Sequence, residues 1–130
     1  MINPVPSCLH ILIIDDEILI TEALRRVLSR KFKVTTLNLA VDAQRLFSDG
    51  VRFDAILCDM MMPGFSGMDL FDWLQENHPD MGKRLIFTSG GAFTKRAQVY
   101  LQELPQERFM PKPFDVMALS ASLEVFIANL

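Results

Sequence analysis

The chain predicts an α/β fold, a doubly wound (βα)5 domain with a five-stranded parallel sheet and helices on both faces. Three observations carry that expectation. Short apolar runs alternate with longer amphipathic stretches along the chain, and such alternation implies parallel strands joined by right-handed crossovers. The runs expected as strands one, three and four are apolar almost throughout, as strands buried on both faces must be. Several runs end abruptly on a polar residue, where the carboxyl edge of an open parallel sheet collects its chemistry.

The elements follow in order. Leu9 to Ile14 is the first strand, interrupted only by His10 and stopped by Asp15-Asp16-Glu17. Leu19, Ala23, Leu24, Val27 and Leu28 then recur at helical spacing, with Arg25, Arg26 and Arg30 opposite. Phe32 to Leu37, rich in β-branched residues, is the second strand. A short helix from Ala40 to Asp49 presents Ala43, Leu46 and Phe47 and closes at Gly50. Ala55 to Cys58 is the third strand, ending on Asp59. A loop with Pro63 and Gly64 leads to Ser66, a natural cap for a helix through His78 that Pro79 terminates. Arg84 to Phe87 is the fourth strand, and Thr88-Ser89-Gly90-Gly91 a small flexible loop. Phe93, Ala97, Tyr100, Leu101 and Leu104 mark the fourth helix. A short fifth strand lies near Arg108 to Met110, and a last helix runs from Phe114 to Asn129.

Composition narrows the function classes. With 130 residues, one domain is expected, residues 8–130 after a tail of residues 1–7. Half of the residues are hydrophobic, enough for a core without disulfides or structural metal. A net charge of -3 argues against a nucleic-acid-binding face and leaves no disordered signature. Cys8 and Cys58 form no disulfide or zinc pattern and read as small buried hydrophobes. No signal peptide or membrane-spanning run is visible, so the cytoplasm is the expected compartment, with no membrane contact by this domain.

The expected strand ends bring together Asp15 and Asp16, Asp59, Thr88 and, after strand five, Lys112. Three carboxylates in one pocket repel one another unless a cation joins them, and hard oxygen ligands with room for water suit Mg²⁺. Lys112 can balance the remaining charge, and the Thr88 hydroxyl can donate to an anionic oxygen. A carboxylate can also act as nucleophile and form an aspartyl phosphate. Asp59 suits that role, standing alone at a central strand end while Asp15 and Asp16 form a metal-binding pair.

Taken together, these residues resemble the receiver domain of two-component response regulators. The matching features are Asp15-Asp16, Asp59 followed by Met62-Pro63 and Gly67, Thr88, and Lys112-Pro113-Phe114, in order over residues 8 to 130. The resemblance implies a flavodoxin-like fold in which Asp59 accepts phosphate from a histidine kinase or a histidine phosphotransfer protein. It implies Mg²⁺ held by Asp15 or Asp16, Asp59 and the backbone carbonyl of Met61, with Thr88 and Lys112 gripping the phosphoryl group. It also implies a cis bond before Pro113 and a switch formed by Thr88 and Phe109, where the family carries Tyr or Phe. Such a domain is no conventional enzyme, although it catalyses its own phosphorylation and dephosphorylation. A looser likeness, in Thr88 to Phe93 and Pro105 to Phe114, is to receivers of hybrid sensor kinases.

Blander roles compete. Asp15-Asp16-Glu17 can merely cap a helix. His10 and His78 are expected to be incidental, Trp73 to be partly buried packing, and Met60-Met61-Met62 to be flexible filler that tunes water attack at Asp59. A haloacid dehalogenase-type phosphatase needs an Asp two residues after its nucleophile, where this chain has Met61. A flavodoxin relative needs a Ser/Thr-rich loop where Asp15 and Asp16 stand. The alternative kept is a receiver-like interaction module that works without phosphorylation. In the last helix, Phe114, Leu119, Leu123, Phe126, Ile127 and Leu130 can cover the sheet while Met117, Ala118, Ala121, Val125 and Ala128 leave much of the remaining surface apolar. That pattern predicts contact with a second copy or a neighbouring domain.

Overall fold

In the computed structural model, which describes residues 8–91 and 94–130, the strands pair in the order β2-β1-β3-β4-β5, all parallel. The strands are β1 His10–Ile14, β2 Lys33–Leu37, β3 Ala55–Asp59, β4 Leu85–Ser89 and β5 Phe109–Pro111. The helices are α1 Ile18–Leu28, α2 Ala40–Ser48, α3 Gly67–Asn77, α4 Pro79–Gly82, α5 Lys95–Glu103 and α6 Val116–Ala128. The doubly wound parallel architecture expected from the sequence is the one observed. The expected tail, residues 1–7, and Phe93 lie outside the described residues.

Strand pleating divides the core in two. Successive side chains point to opposite faces of the sheet. Leu12, Ile14, Ile56, Cys58, Leu85 and Phe87 therefore join the side chains of α2, α3 and α5 on one face. Ile11, Ile13, Ala55, Leu57 and Ile86 meet Leu24, Leu28, Leu119, Leu123 and Phe126 of α1 and α6 on the other. Each fully buried Leu, Ile or Phe contributes roughly 1.5–3 kcal/mol. The central strands are thus the best anchored part of the molecule, and the polar residues at their ends inherit that rigidity.

Several local expectations are corrected. In α1 the core face is Thr21, Leu24 and Leu28; Leu19 is 85 % exposed and Ala23 is also at the surface. The run Ile18-Leu19-Ile20 offers two overlapping apolar stripes, and packing on β1 selects the one that includes Leu24 and Leu28. Pro79 does not simply end a helix. α3 stops at Asn77, and Pro79 opens the one-turn α4 at a position where its missing N–H has no helical partner to lose. Thr88 and Ser89 belong to β4 rather than to a loop. Cys58 is buried, but Cys8 is exposed and donates to the Lys31 carbonyl. Leu130 is 43 % exposed and does not cover the sheet.

The two helices that follow the sheet's central ends are fixed by polar contacts. Ser66 caps α3 reciprocally: its hydroxyl accepts from the Asp69 N–H, and its own N–H donates to the Asp69 carboxylate. α5 buries only Ala97. Its Arg96 guanidinium spans to α3, donating to Asp69 at 2.7 Å and to Asp72 at 3.0 Å, and the Tyr100 hydroxyl also bonds Asp72. The α6 N-cap is Asp115, whose carboxylate accepts from the Met117 and Ala118 N–H groups. No helix among the described residues is long and apolar enough to cross a membrane.

Candidate functional site

β1, β3 and β4 are neighbours in the sheet and end at the same level, with Asp59 in register with Thr88. The polar residues that stop these apolar runs are therefore brought to one edge. One carboxylate oxygen from each of Asp15, Asp16 and Asp59 lies within 4.8 Å of the others. Asp15 and Asp59 are 2 % and 6 % exposed, whereas Asp16 faces solvent.

Lys112 supplies the cation of the cluster. Its backbone N–H donates to the Ser89 carbonyl at 2.8 Å, tying the segment after β5 to the end of β4, and the bond from Lys112 to Pro113 is cis. Its ammonium stands 2.7 Å from Asp15 Oδ2, 3.4 Å from Asp59 Oδ2 and 4.0 Å from Glu17 Oε1. Burial alone would lower the Lys112 pKa; the hydrogen bond to Asp15 and the charges of Asp59 and Asp15 outweigh it and hold the pKa above the ordinary lysine range. Asp59 goes the other way from a typical paired acid. Burial pushes its carboxyl up, the Lys112 charge and the Met61 N–H pull it down, Asp15 adds repulsion, and the net shift is upward. The carboxylate form of Asp59 is thus under-compensated by this chain's own groups.

That imbalance is what a divalent cation would correct. The donor set consists of hard carboxylate oxygens close enough to share one ion, with an exposed member, Asp16, open to water, and Mg²⁺ fits such a set. Among the described residues no other group of His, Cys, Asp and Glu is placed to hold a metal.

The remaining expected residues lie around this cluster. Thr88 is 2 % exposed at the end of β4, and its carbonyl accepts from the Met60 N–H at 2.9 Å. Met61 is half-buried and donates its N–H to Asp59 Oδ1 at 3.2 Å. Phe109, half-buried in β5, stacks on Phe87 with ring centroids 5.9 Å apart. Neither histidine joins the cluster: His10 bonds Thr35 within the sheet, and His78 follows α3. Nor does Asp15-Asp16-Glu17 cap α1 through a side chain, since the N-cap is Glu17 without a side-chain bond.

Three neighbours were given no site role from the sequence, although Glu17 was named with the acidic run and Gly67 with the family pattern. Asn38 donates from its side-chain amide to the Asp15 carbonyl at 2.8 Å. Glu17 flanks Lys112, as given above. At Gly67, an added Cβ would lie 2.1 Å from the Asp59 carbonyl oxygen, so α3 approaches the acid as closely as a backbone can. Only the third had a signal, its place after Met62-Pro63 in the family pattern.

Comparisons with known proteins bear on the fold and the family. A family model described as "Response regulator receiver domain" matches residues 11–124. The hydrogenase transcriptional regulatory protein HoxA of Bradyrhizobium diazoefficiens is 36% identical over 104 residues, 80% of this chain and 21% of that protein. The response regulator MprA of Mycobacterium ulcerans is 30% identical over 122 residues, 91% of this chain and 50% of that protein. The chain thus spans half or less of the length of these curated relatives. Among solved structures, a response regulator receiver domain protein from Clostridium thermocellum superposes with a TM-score of 0.78 at 27% identity, covering 93% of this chain and 95% of that one. With the family match running from β1 into α6 and the acids at one edge of the sheet, the chain belongs to the receiver domain family of response regulators, the signalling modules of two-component systems.

Proposed function

We propose that residues 8–130 form a phosphoacceptor domain in which Asp59 takes a phosphoryl group from the phosphohistidine of a histidine kinase or histidine phosphotransfer protein. The observation that carries this reading is the Lys112 ammonium between the buried carboxylates of Asp15 and Asp59, beside an exposed Asp16. An acid whose charge is under-compensated, next to a fixed cation and further oxygen donors, suits in-line attack on phosphorus.

In the proposed transfer an Asp59 oxygen forms the new O–P bond while the N–P bond of the donor breaks, and the departing imidazole nitrogen keeps the electron pair. Asp16, Asp59 and the Met61 carbonyl would hold Mg²⁺, with Asp15 beside them. When bound, Mg²⁺ would neutralise the charge on the transferring phosphoryl oxygens. Lys112, held by Asp15, presents its remaining N–H donors to the phosphoryl group, which costs no reorganisation at the moment of transfer. The Met61 N–H at Asp59 Oδ1 orients the carboxylate so that Oδ2 faces Lys112.

The switch reading rests on Thr88 and Phe109. Thr88 is one strand away from Asp59 in register, so its hydroxyl can reach a phosphoryl oxygen after a small shift of the strand end. Phe109 then exchanges between its stacked position on Phe87 and an inward one, a shift between two populations driven by the phosphoryl group. Lacking a hydroxyl, Phe109 has nothing to hold its outward state by hydrogen bonding. Phe109 also lines a groove of about 770 Å³ with Pro105, Met110, Val125, Phe126 and Leu130. Met117 is 83 % exposed and Val125 62 % exposed, so α6 is the surface proposed to meet a second copy or a neighbouring domain. The site would act in the cytoplasm, where kinase phosphodonors reside, with no direct contact to nucleic acid or membrane.

The test is intact mass after incubation with Mg²⁺ and acetyl phosphate, then with a panel of phosphorylated histidine proteins. One added phosphate that is hydroxylamine-labile and absent in Asp59→Asn is expected. A wild-type chain that gains none from any donor in the panel overturns the proposal and favours an interaction module that works without phosphorylation.

A further inference from the structure

Every polar group of Asp15 is occupied, and the four partners come from three segments: Glu17 just after it, Leu37-Asn38 at the end of β2, and Lys112 after β5. The backbone N–H donates to the Leu37 carbonyl at 3.1 Å. Oδ1 accepts from the Glu17 N–H at 2.9 Å, and Oδ2 faces Lys112 at 2.7 Å. The backbone carbonyl accepts from the Asn38 side-chain amide at 2.8 Å. Among the described residues, Asn38 is the only side chain that donates to the main chain of the Asp15-Asp16 turn.

Asn38 also reaches the start of the following helix. The same amide lies 3.3 Å from the Thr21 hydroxyl, and that hydroxyl donates to the Ile18 carbonyl at 3.0 Å. Thr21 is 2 % exposed, so this second anchor is set in the core. One amide at the end of β2 thereby pins both sides of the turn: the peptide after Asp15 and the first turn of α1. Asp16 stands between the two pinned points and is itself exposed, and among the described residues its side chain makes no hydrogen bond. Its direction is set by the peptide that Asn38 holds.

We infer that Asn38 is a positioning residue for the acidic cluster, fixing the Asp15-Asp16 peptide so that the carboxylates of Asp16 and Asp15 converge with Asp59 on one cation. This rests on the phosphoacceptor reading above and deepens it: Asn38 would not touch the phosphoryl group or the metal, but would preset the geometry of the ligands. Without it, the turn keeps its charges and loses their alignment. Losing one such hydrogen bond from a preset ligand set weakens binding on the order of 3- to 10-fold.

The experiment is calorimetric titration of Mg²⁺ alone into the wild-type chain, Asn38→Leu and Asn38→Asp, with the melting temperature of each measured without metal. Asn38→Leu keeps the size and loses the donor; Asn38→Asp loses the donor and adds a negative charge near the cation. Positioning predicts that Asn38→Leu binds Mg²⁺ 3- to 10-fold more weakly and that Asn38→Asp gains nothing over the wild type. A charge effect alone predicts tighter binding by Asn38→Asp and no change in Asn38→Leu. That result overturns the inference, as does a lowered melting temperature with Mg²⁺ affinity within twofold of the wild type. Should the variants fail to fold, the Asn38 side-chain amide resonances of the wild-type chain must move during the Mg²⁺ titration; resonances that stay fixed overturn the inference. A wild-type chain that binds no Mg²⁺ removes the phosphoacceptor reading together with this one, whereas normal Mg²⁺ binding by the wild type and by Asn38→Leu alike removes this one alone.

Discussion

Replacing Gly67 with alanine places a methyl group 2.1 Å from the Asp59 carbonyl oxygen, 3.0 Å from its carbonyl carbon and 3.1 Å from Cys58 Sγ. A carbon and a carbonyl oxygen in contact normally stay roughly 3.3–3.6 Å apart, so the start of α3 must retreat by about 1 Å or β3 must give. Neither moves cheaply. Cys58 and Asp59 sit in a strand paired on both sides, and α3 is locked by the Ser66–Asp69 reciprocal cap. Overpacking of this kind costs typically 1–3 kcal/mol, and two backbone atoms in the clash place Gly67→Ala near the top, about 3 kcal/mol. The better helix propensity of alanine returns under 1 kcal/mol of that. Gly90→Ala is the control: its added Cβ meets nothing within 4 Å. Urea denaturation of both variants would measure the difference, and the displacement should also slow the proposed phosphorylation of Asp59, whose carbonyl is the atom struck. If Gly67→Ala and Gly90→Ala unfold within about 0.5 kcal/mol of each other, the close approach of α3 to the acid is not a constraint and the reasoning fails.

Asp59→Asn should raise the melting temperature at neutral pH. A carboxyl whose folded pKa lies above its unfolded one carries its full penalty at pH values above both and none below both, so the gap between variant and wild type should close on acidification through the carboxylate range. A gap that is independent of pH would contradict the under-compensated charge. Leu123→Ala, at a side chain with no exposure, should cost about 2–5 kcal/mol in urea denaturation, while Met117→Lys on the opposite side of α6 should stay within roughly 0.5 kcal/mol. Equal effects would mean that α6 packs with another face inward. Arg96→Gln should destabilise by about 1 kcal/mol at low salt and by less in 0.5 M salt, because its partners are half-exposed; a salt-independent loss would point to packing instead.

The sheet and its acidic edge were legible because they are written as contiguous runs. Ile11 to Ile14, Ala55 to Cys58 and Leu85 to Phe87 are apolar on both faces, and each is followed by the polar residue that the fold carries to the site. What remained hidden depends on contacts between segments far apart in sequence. Whether Leu19 or Leu24 faces inward is decided by the sheet, since both lie on apolar stripes of α1. The one-turn α4 that Pro79 opens is too short to show a period. Asn38 carries no local signal, because its partner, the Asp15 carbonyl, follows a different strand 23 positions away. The Arg96 fork joins residues 24 and 27 positions apart, a separation no local pattern reveals.

That fork gives the molecule a second kind of adhesion. Most of the helices are glued to the sheet by apolar burial, which weakens on cooling and is nearly indifferent to ions. α5 fully buries a single alanine, packs the Tyr100 ring on Phe71 and Phe87, and is otherwise moored by guanidinium, carboxylate and phenol groups at the surface. With a Debye length of about 8 Å at physiological ionic strength, that mooring slackens as salt rises while the sheet stays intact. Native-state amide exchange should therefore resolve α5 as its own opening unit, one whose lifetime follows the ionic composition of the medium more closely than temperature. The helix that follows the Thr88 strand end would in this way carry a record of the solvent.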